Sequence, residues 1–510
     1  MPLPTNTTKM PWPPPDFTAI VQDMQMADAW YSGDPDKLMA YYGGAPSAAL
    51  GKQDNSFERS FGVSFRGGIS FWSRRSNDPG NRGVPRIHVP VAADIASRST
   101  DFLFGESPTI QIPEAHEQKA VEGAVDTEAR LQELMELLQI EALLTEAADF
   151  ASGIGGVYLV PGWDQEIGQH PILRVVSGDC AIPEFRYGYL SAVTFYRTVK
   201  TDKRKVWRHL EKHEPGHIYH GLYEGDKDVL GDLVMLDTLK ETAGFSEDVK
   251  LPDGITGLMV SYIPNALPNR KRRMRVGRSD TAGAESMMDA LDETWTSWMR
   301  DIRLGQAKVF VPNDWLKRTE RGGGAQFDHD QDVFVRLDVD PLSKEAMNIT
   351  PNQFAIRYEE HRGTYLELFE QIIHAAGYSP QSFGLHIEGQ AESGTALKLR
   401  EGASYRTTMK KRRFFEPAVA AALEKMLIID QQVFGSSIVP FRPRVVCNEA
   451  ESDQMQTAQT VQLLRTAGAM SIRNLVKMAQ PHLEGEELDA EVQRCMQEQG
   501  MLLPDPTANV

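Results

Sequence analysis

The stretch "GRSDTAGAESMMDALDETWTSWMRDIRLGQAKVFVP", Gly277–Pro312, decides the fold. Ser279 and Asp280 are plausible N-caps for a helix that reaches Leu304. Its apolar residues recur at steps of three and four, which predicts a narrow packing seam: Met288, Leu291, Trp295, Trp298 and Ile302. Polar residues share another face: Glu285, Asp289, Glu293 and Arg300. The segment then changes to the strand-like "KVFVP".

A second helix of similar length follows about 45 residues later. Thr350 is its predicted N-cap, Pro351 its first residue and Gln353 the end of a capping box, and it continues to about Ala376. Between the two helices lie strand-like "KVFVP" and "DVFVRLDVD" and a charged loop, "KRTERGGGAQFDHD". If the helices pair antiparallel, this small β-containing insert projects from their far end.

A glycine-punctuated segment, Gly377–Gly394, leads into a helix from Thr395 to near Phe434. Ser393 is its predicted cap, and Pro417 should kink it. The basic residues at 410–413 are expected to cover this helix and to pair with Glu401 or Glu416 on it. A strand near "PFRPRVV" and short helices at about 453–466, 472–479 and 486–498 complete the chain.

In the N-terminal half, the spacing of apolar residues changes from a helical to an alternating pattern at about Gly155. Before it, helices are predicted near Phe17–Tyr42, over Val91–Glu106, and from about Glu117 to Ala151. From there to about Tyr262 the pattern alternates, which predicts a largely antiparallel β region. The basic connector that follows, 264–280, is either a solvated linker or a phosphate contact.

The segment "HLEKHEPGHIYHG", 209–221, contains the H-E-x-x-H pattern of zinc peptidases. That pattern binds zinc only on a helix, and here its two variable positions are Pro215 and Gly216. The flanks instead predict a solvated β-hairpin. We therefore expect no metal and no other cofactor.

Composition narrows the class of protein further. The chain has 510 residues, 41% hydrophobic and 25% charged, with a formal net charge of −17 and three widely spaced cysteines. These values predict a multidomain globular protein of a reducing compartment without a DNA-coating basic surface. The sequence contains no Walker A loop, dinucleotide-binding pattern or carboxylate metal cluster, so a nuclease or packaging motor is not favoured, and no catalytic residues are expected.

Two stretches of the chain resemble the portal proteins of tailed double-stranded-DNA bacteriophages of the long-tailed type. They are Gly277–Pro312, quoted above, and residues 375–419, "AAGYSPQSFGLHIEGQAESGTALKLREGASYRTTMKKRRFFEPAV". The similarity lies in the order of helix, β insert, helix, glycine-rich loop, "SGTAL" and long kinked helix. It extends from roughly Ala93 to Glu498. The implied fold is α+β, with an α/β wing, a two-helix stem, a small clip, a long kinked wing helix and a helical C-terminal crown.

The resemblance implies a division of the chain into seven parts. These are 1–264, arm and wing; 265–304, connector and first stem helix; 305–350, clip; 351–376, second stem helix; 377–394, tunnel loop; 395–448, long helix and wing; and 449–510, crown. It also implies roles for individual residues. The tunnel loop would present Gln381, Ser382, His386, Glu388, Gln390 and Glu392 to DNA. The clip would bind terminase or adaptor through Lys317, Arg318, Glu320 and Arg321.

By the same resemblance, the stem seam Met288–Ile302 would pack between subunits, and Glu285, Asp289, Glu293 and Arg300 would face the channel. The seam taken alone is more typical of the core of a single chain than of a contact between subunits, and the resemblance reverses that preference. The implied function is a non-enzymatic, dodecameric portal ring at one capsid vertex of the virion, assembled in the host cytoplasm. Its partners would be double-stranded DNA, the large terminase, a head-completion adaptor, and the major capsid and scaffolding proteins, with no membrane. The alternative is a non-enzymatic minor capsid or scaffold protein.

Overall fold

The computed structural model describes residues 3–5, 7, 9–43, 71–73, 86–111, 127–202, 204–271, 274–305, 308–312, 334–337, 350–352, 356–385, 394–447, 454–468, 470–480 and 485–498. Helices and strands are mixed along the chain, which confirms the α+β class. Among the described helices, none is both long and apolar enough to cross a bilayer.

The N-terminal half begins with helices. They are α1 (Pro15–Tyr31), α2 (Pro35–Gly43), α3 (Val91–Phe104), α4 (Thr127–Leu137) and α5 (Ile140–Ile154), with the short strand β1 (Thr109–Gln111) after α3. The predicted continuous helix 117–151 is wrong in its described part. Gln139 has φ +50° and separates α4 from α5. This left-handed residue turns the chain, and both helices then bury leucines in one core.

The β region forms two antiparallel sheets, as the alternating pattern predicts. A three-stranded sheet has the order β10 (Ser261–Pro264), β2 (Gly156–Trp163), β3 (Pro171–Ser177). A larger sheet has the order β4-β5-β6-β7-β8, with β9 beside part of β7. Its strands are β4 (Ala181–Arg186), β5 (Tyr189–Asp202), β6 (Lys205–Glu214), β7 (His217–Asp226), β8 (Val229–Val234) and β9 (Asp248–Lys250).

Helix α6 (Glu285–Leu304) and helix α7 (Tyr358–Ala376) bracket the β insert. The insert contains β11 (Lys308–Pro312), β12 (Phe334–Leu337) and β13 (Thr350–Asn352), with β11 in the centre. The predicted start of the second helix at 350–351 is wrong. Thr350 and Pro351 are in β13. This strand pairs antiparallel with β11, and Thr350 lies opposite Phe310. The local capping signal is overridden by this ladder.

Helix α6 also begins later than predicted. Its N-cap position is Ala284, and no side chain caps it. Ser279 and Asp280 precede it by a turn and are buried. They belong to the packing at the base of the helix pair rather than to its cap.

Helix α8 (Gly394–Gln432) contains Pro417 and is the longest described helix. Its second half packs Phe415, Leu423 and Leu427 against α5 and β2 in the largest apolar core. Strand β14 (Arg444–Val446) pairs antiparallel with β1, which returns the chain to the N-terminal half.

The C-terminal helices are part of a separate compact unit. They are α9 (Gln454–Thr466), α10 (Ile472–Ala479) and α11 (Gly485–Glu498). Val476 of α10 packs with Leu488 and Val492 of α11 in an apolar core. Ser471 caps α10 as predicted, because its Oγ accepts a hydrogen bond from the Asn474 backbone N–H.

Candidate functional site

The two helices around the insert pack antiparallel through aromatic rings. Trp295 lies 5.1 Å from Tyr365 and Trp298 stacks on His361 at 6.0 Å, measured between ring centroids. One turn further along α6, Asp301 accepts hydrogen bonds from Arg357 at 2.7 Å and from His361 at 2.9 Å. The hydrogen bond from His361, together with Arg357, lowers the pKa of Asp301. The predicted antiparallel pair is therefore present within one chain.

The predicted inter-subunit seam is buried within this chain only at its first two residues. Met288 and Leu291 are 1% and 0% exposed in a core shared with α1, α3 and α7. Trp295 and Trp298 pack on α7 as described. Ile302 differs, because it is 40% exposed. For Met288 and Leu291 the packing prediction is corrected: side chains buried within one chain cannot contact another subunit.

Two of the predicted channel-facing residues are engaged inside the chain. Glu285 pairs with Lys271 at 3.1 Å and accepts a hydrogen bond from Gly283 N–H. Asp289 accepts hydrogen bonds from the backbone N–H groups of Phe71 and Trp72. Glu293 is half-buried, and Arg300 is exposed. The shared polar face of α6 thus includes intramolecular contacts at its N-terminal end.

Asp292 is the residue of this helix that sequence reasoning missed. It is fully buried and accepts hydrogen bonds from Trp72 Nε1 at 3.0 Å and Val89 N–H at 2.8 Å, with His88 Nδ1 at 2.8 Å. Burial raises its pKa, although His88 and the other donors oppose the shift. The available signal was its spacing, since a carboxylate four residues after Met288 lies on the apolar face of a helix.

The base of the helix pair is a buried polar network centred on Asp280. Its Oδ2 lies 2.5 Å from Lys411 Nζ, 2.6 Å from the donating Ser152 hydroxyl and 3.1 Å from the Tyr378 hydroxyl. Asn265 Nδ2 donates to Oδ1 at 2.8 Å. Lys411 also donates to Ser99 Oγ at 2.6 Å, and burial lowers its pKa. We call these six residues the base network.

The base network corrects the prediction for the basic run 410–413. Lys411 is buried and pairs with Asp280 on a different element, not with Glu401 or Glu416 on its own helix. Arg412 is also buried and donates to the Phe102 carbonyl. Lys410 and Arg413 are exposed. Four consecutive cations thus divide into two structural and two surface residues.

The described part of the glycine-rich segment is fastened to α8. Ser379 N–H donates to Ser404 Oγ at 2.9 Å, and the Ser382 and Ser404 hydroxyls lie 2.9 Å apart. Gln381 accepts a hydrogen bond from Ser379 Oγ. Gly377 and Gly384 have φ +90° and +76°, which favours glycine at both positions. The other predicted loop residues, His386, Glu388, Gln390 and Glu392, lie outside the described residues, as do the clip residues Lys317, Arg318, Glu320 and Arg321.

The basic connector borders a cavity of about 160 Å³ between α1 and the turn before α6. Lys271 is neutralised by Glu285 and lies 4.0 Å from Asp23. Arg278 is half-buried, and burial together with the neighbouring charge of Arg270 lowers its pKa. Arg272 and Arg273 lie outside the described residues. The connector is therefore partly packed and not simply solvated.

The H-E-x-x-H segment forms a hairpin, as predicted, but three of the four histidines at 209–221 are buried, and only His217 has a partly exposed side chain. Strands β6 and β7 meet at Pro215 and Gly216, with Glu214 opposite His217. His209, His213 and His220 are buried, which corrects the expectation of a solvated hairpin. His213 pairs with Glu211 at 2.7 Å, and Arg174 donates to the same carboxylate. In the described part of the chain, no cluster of three or more histidine, cysteine, aspartate or glutamate side chains could hold a metal ion.

A comparison with protein families places the chain among components of bacteriophage capsids. The particular family is the one described as "Phage portal protein, SPP1 Gp6-like", whose model matches residues 15–498. The chain belongs to this family, and the resemblance predicted from the sequence is confirmed. The family implies a capsid-associated oligomeric ring. No curated protein sequence matches the chain.

Proposed function

We propose that this protein forms the portal at one vertex of a phage capsid. Twelve copies would close into a ring whose channel passes double-stranded DNA during packaging and ejection. The large terminase and later the head-completion adaptor would dock on the ring, and the major capsid and scaffolding proteins would surround it. The observation that carries this proposal is the family match over residues 15–498, nearly the entire chain.

The element assignments of this proposal follow the antiparallel helix pair. Helices α6 and α7 would be the stem, and strands β11, β12 and β13 the core of the clip. The segment after Gly377 would be the tunnel loop, α8 the long wing helix and α9–α11 the crown. An insert at the far end of two antiparallel helices is well placed to bind a partner, since exposed tips commonly carry binding residues.

The ring is tested on the purified full-length chain by mass photometry and negative-stain microscopy. We expect closed rings, with a mass near twelve times 57.0 kDa. A chain that stays monomeric at all concentrations would contradict the ring and favour a minor capsid or scaffold role. Head-to-tail contacts give a ring when the rotation that relates neighbouring subunits closes, and an open helical filament when it does not. Open filaments would therefore also contradict the proposed ring.

The channel is tested by Gln390→Lys in every subunit. Added cations would bind phosphates with release of counterions, so packaging should slow, most at low ionic strength. The matched control is Gln390→Glu, which adds charge of the opposite sign and should leave packaging close to wild type. Packaging rates that respond equally to both variants across a salt series, with rings intact, would remove this loop from the DNA path.

A further inference from the structure

The hairpin that joins β4 to β5 exposes two tyrosines at its tip. Tyr187 is 91% exposed and Tyr189 is 79% exposed. Each leaves aromatic area in water whose burial in a core or against a partner would be favourable. Neighbouring exposed aromatic residues of this kind mark interaction surfaces.

The backbone at this tip is unusual for the residue that occupies it. Tyr187 and Gly188, the two central residues of the turn, have φ +52° and +81°. A two-residue hairpin turn of this kind favours asparagine, aspartate or glycine at its first position. A tyrosine there is strained, because its Cβ crowds the backbone at positive φ, and it gains no burial in return. A strained residue whose side chain is presented to solvent is best explained by a function of that side chain.

Arginines surround the two tyrosines. The Arg186 guanidinium lies 5.7 Å from the centre of the Tyr187 ring. Arg275 lies against Gly188, its Nε 3.4 Å from the position that a Cβ would occupy. We call Arg186, Tyr187, Tyr189 and Arg275 the aromatic tip. Tyrosine and arginine are the residue types enriched at the energetic centres of protein interfaces.

A surface of opposite character lies on α4 and α5. It combines Leu137, which is 55% exposed at the break between the two helices, with exposed carboxylates that precede and follow it in the sequence. They are Glu133, Glu136, Glu141 and Glu146. The neighbouring cation Arg130 pairs with Asp430 and Glu133, so it does not neutralise the rest. We call this surface, with Leu137, the acidic face.

We propose that the aromatic tip of one copy docks on the acidic face of the next copy in the ring. The two patches are different, which is what a head-to-tail contact requires, and each has the charge and apolar group that complement the other. The formal net charge of −17 means that copies repel one another in general, so a local basic tip directs the approach. This inference rests on the ring of the proposed function.

The first test replaces Tyr187 with asparagine. Asparagine suits the positive φ of this turn, so the monomer should be as stable as wild type or more so. The interface, in contrast, loses the aromatic side chain of Tyr187. We expect the protein concentration at half-assembly to rise by about tenfold or more. Ile167→Asn is the control, because Ile167 is 68% exposed in the β2–β3 connection and should leave assembly unchanged.

The second test is charge reversal with rescue. Arg186→Glu and Glu136→Arg should each weaken assembly, and the double variant should regain much of it, because each interface then pairs the reversed charges. Urea unfolding of each variant monitors the fold of the chain separately from its assembly.

Each outcome separates this inference from the proposed function. Wild-type chains that form no ring would overturn both. Wild-type rings that Tyr187→Asn and Arg186→Glu leave unchanged would overturn the inference and keep the portal role. Rings that form normally with the variants but enter fewer capsids would overturn the contact between copies and assign the aromatic tip to a capsid partner instead.

Discussion

Helix α6 has an acid–base pair at each end, and the two pairs differ in burial. Before its first turn, Asp280 and Lys411 each have 3% of the side chain exposed. In its last turn, Asp301 is 21% exposed and its partner Arg357 is 62% exposed. The donor–acceptor distances are similar, 2.5 and 2.7 Å. The difference lies in the solvent around them.

That difference determines what each pair does. A charge moved out of water loses several kcal/mol of solvation, so a buried pair is stable only if partners satisfy both groups, as Ser152, Asn265 and Tyr378 do for Asp280. The exposed pair keeps its hydration and loses little when it opens. The base of the helix pair is therefore fixed, and its far end can be rearranged at small cost.

Among the variants of the two ion pairs, Lys411→Met should have the largest effect on stability, because it leaves Asp280 charged and buried without its cation. We expect the free energy of unfolding to fall by about 3–5 kcal/mol. The free energy of unfolding is measured by urea unfolding, followed by tryptophan fluorescence. The protein concentration is kept below that at which the chains assemble. The double variant Asp280→Asn with Lys411→Met should recover part of the loss. If the single variant is as stable as wild type, the pair is not the buried determinant that its geometry indicates.

Two buried histidines of the β6–β7 hairpin, His209 and His220, extend the comparison to groups that are neutral when folded. Burial lowers the pKa of His209 and His220 to about 4. The unfolded chain, with a histidine pKa of about 6.5, takes up protons first as the pH falls. Stability is therefore unaffected above about pH 7 and decreases between about pH 6.5 and 4, by about 3 kcal/mol for each histidine.

This pH dependence is measured by urea unfolding at a series of pH values. The double variant His209→Gln with His220→Gln should be flatter between about pH 6.5 and 5, and His217→Gln, at the exposed end of the hairpin, should follow the wild type. A wild-type curve that is flat over this interval would mean that the two rings are accessible to protons in the folded chain.

Removal of the exposed pair should have the smallest effect. Arg357→Ala is expected to lower the free energy of unfolding by less than about 1 kcal/mol, and less still in high salt. The same urea measurement at two ionic strengths tests it. A loss comparable to that of Lys411→Met would mean that burial does not separate the two ends of the helix pair.

The order of elements could be predicted from the sequence because it depends on local patterns. Helix α6 ends where predicted, at Leu304, and Ser471 caps α10. The boundaries that failed depend on distant partners. Thr350 and Pro351 have an excellent helix start, but pairing with β11 across the insert places them in a strand. Gln139 breaks a continuous apolar pattern although no glycine or proline marks the position.

The candidate site was predictable in outline and not in its contacts. Asp280 was interpreted as a helix cap because short acidic side chains favour such positions. Its actual partners lie on other elements, and no spacing rule connects residue 280 with Lys411. The same applies to Asp292 and His88. Sequence periodicity gives the buried face of a helix, whereas the pairing of buried charges is set by the tertiary fold.

The base network also constrains the order in which the chain can fold during synthesis. Lys411 bonds to groups 131 and 312 residues earlier in the sequence, Asp280 and Ser99. At roughly 5–20 residues per second, the ribosome needs about 7–26 s to extend the chain from Asp280 to Lys411. Throughout that interval Asp280 has no buried cation to pair with. The nascent chain therefore cannot complete the base of its helix pair, which delays a fully formed helix pair until translation has passed the middle of the long helix.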